Sequence, residues 1–161
     1  MITRFRHIFV IYFTIRFWSI SGYAQNTVIK HYGVNQGLPS SETYFVTQDS
    51  KGYLWIATDA GVVKYDGYQF RTYTTADGLP DNTVFKIHED AYGRVWFSTY
   101  SGRFAYYVHK TDSVYPIKAN EKLTSIVKTL PTDFIFDSKD TLYVSIDKKG
   151  YLKIYPPYYD V

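Results

Sequence analysis

The feature that most constrains this chain is an internal repeat with a period of 41 residues. Placing Tyr32 to Tyr65 over Tyr73 to Tyr106 gives ten identities in 34 ungapped positions, against about two from chance, so the chain must be read as copies of one unit. The identical pairs are Tyr32/Tyr73, Gly37/Gly78, Leu38/Leu79, Pro39/Pro80, Asp49/Asp90, Gly52/Gly93, Trp55/Trp96, Thr58/Thr99, Gly61/Gly102 and Tyr65/Tyr106. They are turn and aromatic residues, the kinds a repeated packing unit retains. A third, more divergent copy follows, in which Asp137 aligns with Asp49, Asp140 replaces Gly52, Tyr143 replaces Trp55 and Gly150 comes one position late for Gly61.

Each copy predicts four short strands. In the first they are Thr43 to Gln48, Tyr53 to Thr58, Val62 to Tyr65 and Tyr68 to Tyr73, separated by Asp49-Ser-Lys-Gly52, by Gly61 and by the hairpin signal Asp66-Gly67. Copy two predicts Thr83 to His88, Arg94 to Thr99, Arg103 to Val108 and Ser113 to Ile117. No segment of the body has a helical period. Four antiparallel strands per repeat of roughly 40 residues define a β-propeller blade, and the aromatics at Trp55, Trp96 and Tyr143 are then expected between neighbouring blades. The expected architecture is all-β, with about three blades of an incomplete ring: 25–35 as a closing outer strand and lead-in, 36–76 as blade 1, 77–123 as blade 2 and 124–161 as a partial blade 3. The connection from His109 to Leu123 is longer than its counterpart in copy one.

Residues 1–24 read as a secretory signal peptide. Arg4 and Arg6 precede the apolar run Ile8 to Ile15, and Gly22-Tyr23-Ala24 supplies small residues before the cut. Arg16 interrupts the apolar segment, which resumes with Phe17-Trp18-Ser19-Ile20. The apolar run is shorter than the roughly 20 residues that span a bilayer. Three of the 18 basic residues lie in this leader, so the rest carries 15 basic against 15 acidic groups. A balanced body argues against a nucleic-acid footprint. With no cysteine, disulfide scaffolds, thiolate metal sites and a Cys nucleophile are excluded.

The run from Gly37-Leu38-Pro39 through Gln48-Asp49-Ser50-Lys51-Gly52-Tyr53-Leu54-Trp55-Ile56-Ala57-Thr58 to Gly61-Val62 and Tyr65-Asp66-Gly67 resembles the two-component regulator propeller repeat. Its second instance runs from Gly78-Leu79-Pro80 through Asp90, Gly93, Trp96 and Thr99 to Gly102. The resemblance covers residues 32 to 108 closely and 124 to 155 loosely. It implies an exported, periplasmic or extracellular sensor region of a two-component system. In such proteins the propeller is followed by a three-tyrosine domain, a transmembrane helix and a cytoplasmic output, most often a histidine kinase. Several members of that family sense glycan fragments. The partners it implies are a small-molecule or oligosaccharide ligand, the remaining blades and those downstream domains.

The residues themselves carry little chemistry. Gly37-Leu38-Pro39 and Gly78-Leu79-Pro80 fall in blade-to-blade crossings, where a fixed turn with a buried leucine explains them. Asp49, Asp90 and Asp137 are expected to close hairpins onto their own backbone. His31, His88 and His109 lack zinc-site spacing, and Glu89-Asp90 are adjacent on a strand and so face opposite ways. No nucleophile elbow or phosphate loop occurs. No cofactor, metal or catalytic residue is therefore expected. Function should lie in the loop positions that differ between copies, Ser40-Ser41-Glu42 against Asp81-Asn82-Thr83 and Asp59-Ala60 against Tyr100-Ser101. Tyr100 or Tyr106-Tyr107 would suit stacking on a sugar ring. The leading expectation is a ligand-sensing propeller. A propeller-type carbohydrate-active enzyme and an adhesion or protein-interaction module are the alternatives.

Overall fold

The computed structural model describes residues 27–126, 131–146 and 150–156, so the leader expected at 1–24 lies outside the described residues. Two units divide the chain, Met1–His31 and Tyr32–Val161. In the first, residues 27–31 are exposed and carry no regular element.

The second unit is built from three antiparallel sheets. Sheet 1 has strands in the order β1 (Thr43–Gln48), β2 (Leu54–Thr58), β3 (Gly61–Tyr65) and β4 (Phe70–Tyr73). Sheet 2 repeats it with β5 (Val84–Glu89), β6 (Val95–Thr99), β7 (Phe104–Val108) and β8 (Ser113–Pro116). Sheet 3 consists of β9 (Pro131–Phe136), β10 (Leu142–Ile146) and β11 (Gly150–Ile154). β1 lies beside β5 and β5 beside β9, so the first strand of each sheet forms the inner side of the array. These are propeller blades, four-stranded in sheets 1 and 2, with three strands among the described residues of the third.

The sequence builds each blade through one local device. After β1, Gly52 adopts φ +89°, and Asp49 Oδ1 accepts from the backbone N–H of Lys51 at 3.0 Å and of Tyr53 at 2.9 Å. Asp49 Oδ2 accepts from the Trp55 indole at 2.8 Å. Asp90 does the same for Tyr92, Arg94 and Trp96. In sheet 3, Asp137 accepts from Lys139 and Thr141, and the Tyr143 hydroxyl, 3.1 Å from Oδ2, takes over the donation of the indole. Asp140 holds the glycine position at φ +62°, a conformation that aspartate tolerates better than most side chains. The repeated aspartate thus closes the turn and also orients the large aromatic six residues on, in the next strand.

That aromatic is the inter-blade core. Trp55 is fully buried in one apolar cluster with Val62 and Tyr73 of sheet 1 and Val84, Val95, Phe97 and Tyr107 of sheet 2. Trp96 anchors a second cluster with Phe104 and Tyr106 of sheet 2 and Phe134, Leu142, Val144 and Ile154 of sheet 3. Trp55 lies 4.8 Å from Tyr107, and Trp96 4.7 Å from Phe136, by ring centroids. Polar contacts reinforce both joints. Glu89 accepts from the Ser50 backbone and hydroxyl, and Arg94 donates twice to Asp140.

Two expectations need correction. An α-helix, α1 (Asn120–Ile126), follows β8 where no helix was expected. Its seven residues are too few to display a period, and it is fixed by tertiary bonds: buried Asn120 accepts from Phe104 N at 2.8 Å and donates to Phe104 O at 2.9 Å. Tyr106 and Tyr107 are 5% and 0% exposed, so both belong to the joints and neither can stack on a sugar.

Candidate functional site

Antiparallel order puts the crossings between blades and the β2–β3 and β6–β7 turns at one end of the array, with the aspartate turns at the other. At the crossing end, a short 3-10 turn ends at Gly37 (φ +112°) before β1, and another at Gly78 (φ +107°) before β5. A Cβ on Gly78 would come 2.5 Å from the Val114 carbonyl oxygen, so this crossing lies directly on the backbone of β8. Leu38 and Leu79 are buried and fix the crossings, while Pro39, which follows the first, is exposed and Pro80, which follows the second, is half-buried. Gly61 starts β3, and buried Thr58 donates to its carbonyl oxygen at 2.7 Å. Thr99 donates likewise to Arg103 O, just past Gly102. The remaining repeated residues are equally structural: Gly93 takes φ +74° in the Asp90 turn, and Tyr65 stacks on Phe70 at 4.4 Å.

The exposed features at this end come from a device that the repeat comparison missed. In β1 the pairing with β2 shifts between Thr43 and Phe45, and in β5 the pairing with β6 shifts between Val84 and Lys86. Each shift is a bulge, and the extra residues are Tyr44 and Phe85. A bulge takes a side chain out of strand alternation and re-aims it. The two rings lie 4.8 Å apart, and Phe85 is 6.1 Å from Tyr100, which is 60% exposed. Together they form an aromatic run across the inner strands of blades 1 and 2. Tyr44 and Phe85 occupy equivalent repeat positions; aromatic character, had it been compared along with identity, would have marked them.

Polar groups border this run. The Tyr44 hydroxyl donates to Glu42 Oε2 at 2.8 Å. That bond, then desolvation, then the charges of Glu42 and Asp59 hold the Tyr44 phenol above its ordinary range. The loops are tied down: Tyr100 N donates to Thr83 O at 2.8 Å, Thr83 Oγ1 to Asp59 O, and Asp81 accepts from Thr83 N and Ser101 N. Asp59 Oδ1 is shut off from solvent and has no hydrogen-bond donor among the described residues. Of the variable positions named from the sequence, Glu42, Asp59, Thr83 and Tyr100 therefore converge here, while Asp81 serves the loop backbone. Exposed ring faces beside carboxylate acceptors suit a ligand with apolar faces and hydroxyl groups.

The histidines are dispersed. His88 stacks on Phe136 in the second joint, and His109 enters the first, with Nε2 3.0 Å from Asp49 Oδ2. That approach is close enough for a charge interaction but is not aligned as a hydrogen bond. Burial, with smaller contributions from Lys51 and Lys64, lowers the His109 pKa, and Asp49 opposes them. Among the described residues, no group of three His, Asp or Glu side chains could hold a metal ion, and no helix is long and apolar enough to cross a membrane.

The blade order, the inter-blade tryptophans and the crossing-loop rim define a β-propeller repeat protein. More narrowly, residues 37–60 and 78–101 each match the model of the two component regulator propeller family. Among solved structures, the extracellular domain of a hybrid two component system from B. thetaiotaomicron matches over 80% of this chain at 26% identity and a TM-score of 0.63. The chain spans about a fifth of that protein, 19% of its length. A catalytically inactive virginiamycin B lyase from Staphylococcus aureus with quinupristin matches over 84% of this chain and 47% of its own at 14% identity and a TM-score of 0.56, a likeness of fold. No curated protein matches the chain.

Proposed function

We propose that this chain is part of the ligand-sensing propeller of a two-component sensor, exported by residues 1–24 and working on the periplasmic or extracellular side of the inner membrane. Its ligand is a carbohydrate, bound at the crossing-loop rim with sugar rings against Tyr44, Phe85 and Tyr100 and hydroxyls toward Glu42. The observation that carries this reading is the paired bulge, which presents one aromatic from each blade at the crossing rim. The role is binding without catalysis. Further blades, with the strand expected at 25–35 closing the ring, would lead through a three-tyrosine domain to a membrane-linked histidine kinase. The ligand would then shift the population of two ectodomain states, by no more than its difference in affinity for them.

A glycan array probed with the purified chain tests this. Binding to one oligosaccharide class, reduced at least about tenfold by Tyr100→Ala, is the expected result. Binding that Tyr100→Ala leaves unchanged refutes the site, and binding to no glycan refutes the ligand class.

A further inference from the structure

Arg103 breaks the repeat. One 41-residue period back its place is held by Val62, which is fully buried in the first joint. Arg103 is half-buried instead, and its backbone is pinned just before β7, where its carbonyl oxygen accepts from Thr99 N at 3.0 Å and from Thr99 Oγ1 at 2.9 Å. Its Nε donates to Thr124 Oγ1 at 3.3 Å. The N–H groups of its two terminal nitrogens have no acceptor among the described residues, and no carboxylate there pairs with it.

That guanidinium lines a hollow of about 600 Å³ at the crossing end of blade 2, within the roughly 300–1,000 Å³ of small-ligand sites. One wall is the Leu79-Pro80 crossing, and the other is Ile117 with α1. Both walls are fixed, since Gly78 lies against Val114 O and Asn120 bonds both backbone groups of Phe104, the residue after Arg103. Lys118 and Glu121 also line the hollow, which gives it two cations against one acid. Asp77 and Asp81 of the adjoining loop do not line it, and are taken up by Thr74 and by the backbone N–H groups of Thr83 and Ser101. Tyr100 and Arg103 flank one tight turn, closed by Gly102 N donating to Thr99 O at 3.0 Å. The hollow therefore adjoins the exposed ring at which the aromatic run of the rim ends.

We infer that the saccharide is acidic: a carboxylate or sulfate ester on the sugar next to the one over Tyr100 enters this hollow and takes the terminal nitrogens of Arg103. The inference rests on the carbohydrate reading above and adds the chemical class of the sugar. A planar guanidinium meets either group with two parallel N–H···O bonds, each charge-assisted and roughly twice as strong as a neutral one. Lys118 adds a longer-range attraction that salt screens.

Isothermal titration calorimetry of the full chain tests this, with trisaccharides built on glucose, galactose and mannose, each in neutral, uronate and sulfate-ester form. In the series that binds, an acidic form should bind at least about tenfold tighter than its neutral parent, and whichever acid gains more identifies the group. Arg103→Gln should erase that difference and leave the neutral affinity where it was, whereas Tyr100→Ala should weaken all three forms alike. Arg103→Val, the side chain that copy one carries at this position, should act as Arg103→Gln does, with circular dichroism reporting that each variant keeps its sheets. Neutral forms that bind as tightly as acidic ones overturn this inference and leave the carbohydrate reading standing. So does a preference for acid that both Arg103 variants retain. Binding of no form in any series overturns both.

Discussion

Asp90→Ala is the substitution that most sharply separates the two roles of the repeated aspartate. The Asp90 side chain is 0% exposed and accepts from Tyr92 N, Arg94 N, the Arg94 guanidinium and the Trp96 indole. Removing it leaves the indole N–H of a fully buried tryptophan without an acceptor, at a cost of about 1–3 kcal/mol. The turn also loses its two backbone bonds, at about 1 kcal/mol each because water reaches that turn through exposed Ala91 and Tyr92. Arg94 keeps Asp140 and needs no separate allowance. The sum is about 3–5 kcal/mol, a large part of the roughly 5–15 kcal/mol that holds a domain together. Asp137→Ala removes the same repeat position, yet there Tyr143 is only half-buried, where Trp96 is fully buried, and water can replace the lost acceptor, so a clearly smaller loss is expected. Urea unfolding of the full chain at one fixed protein concentration, followed by tryptophan fluorescence, measures both. Equal losses at the two positions would refute the argument that the buried indole bond makes the difference.

Gly78→Ala should destabilise strongly, since its Cβ would sit 2.5 Å from Val114 O at φ +107°, whereas Gly67→Ala at φ +99° meets nothing within 4 Å. The second change should cost only the left-handed backbone term of about 1–2 kcal/mol, and comparing the two denaturation midpoints checks this. Because burial sets the His109 pKa below its ordinary value of about 6.5, its contribution to stability is complete above that pH and is lost as pH falls through the folded-state value. His109→Gln should flatten the stability profile below pH about 6.5, and an unchanged slope there would show that His109 does not carry it. Desolvation, then the bond to Asp112, pushes Tyr73 up to about 12, and Tyr107 is raised in the same direction by the same leading cause. Spectrophotometric alkaline titration should show these two phenols ionising after the ordinary tyrosines.

Much of the fold was legible because its determinants are local. Asp49, Gly52 and Trp55 act within one hairpin, so their spacing survives in Asp90, Gly93 and Trp96 and reveals the blade. Trp55 and Ala57 alternate onto one face of β2, and both are fully buried in the joint. The expectations that failed depend on distant partners. Asn120 is helical because Phe104 holds it, and Tyr107 is buried because Trp55 and Tyr73 of the preceding blade cover it. The candidate site was half visible. Glu42, Asp59 and Tyr100 stood out as loop differences, but the bulges that bring in Tyr44 and Phe85 exist only in the pairing with β2 and β6.

The central claim is that ligand is read by the bulged aromatics at the crossing rim and not by the aromatic core between blades. Two-dimensional NMR of the full chain with labelled aromatic rings, titrated with the best oligosaccharide from the array, tests it directly. Tyr44, Phe85 and Tyr100 signals should move in saturable fashion while Trp55, Tyr73 and Tyr107 stay in place. Saturable shifts confined to the joint residues, with the rim rings unmoved, would contradict the account.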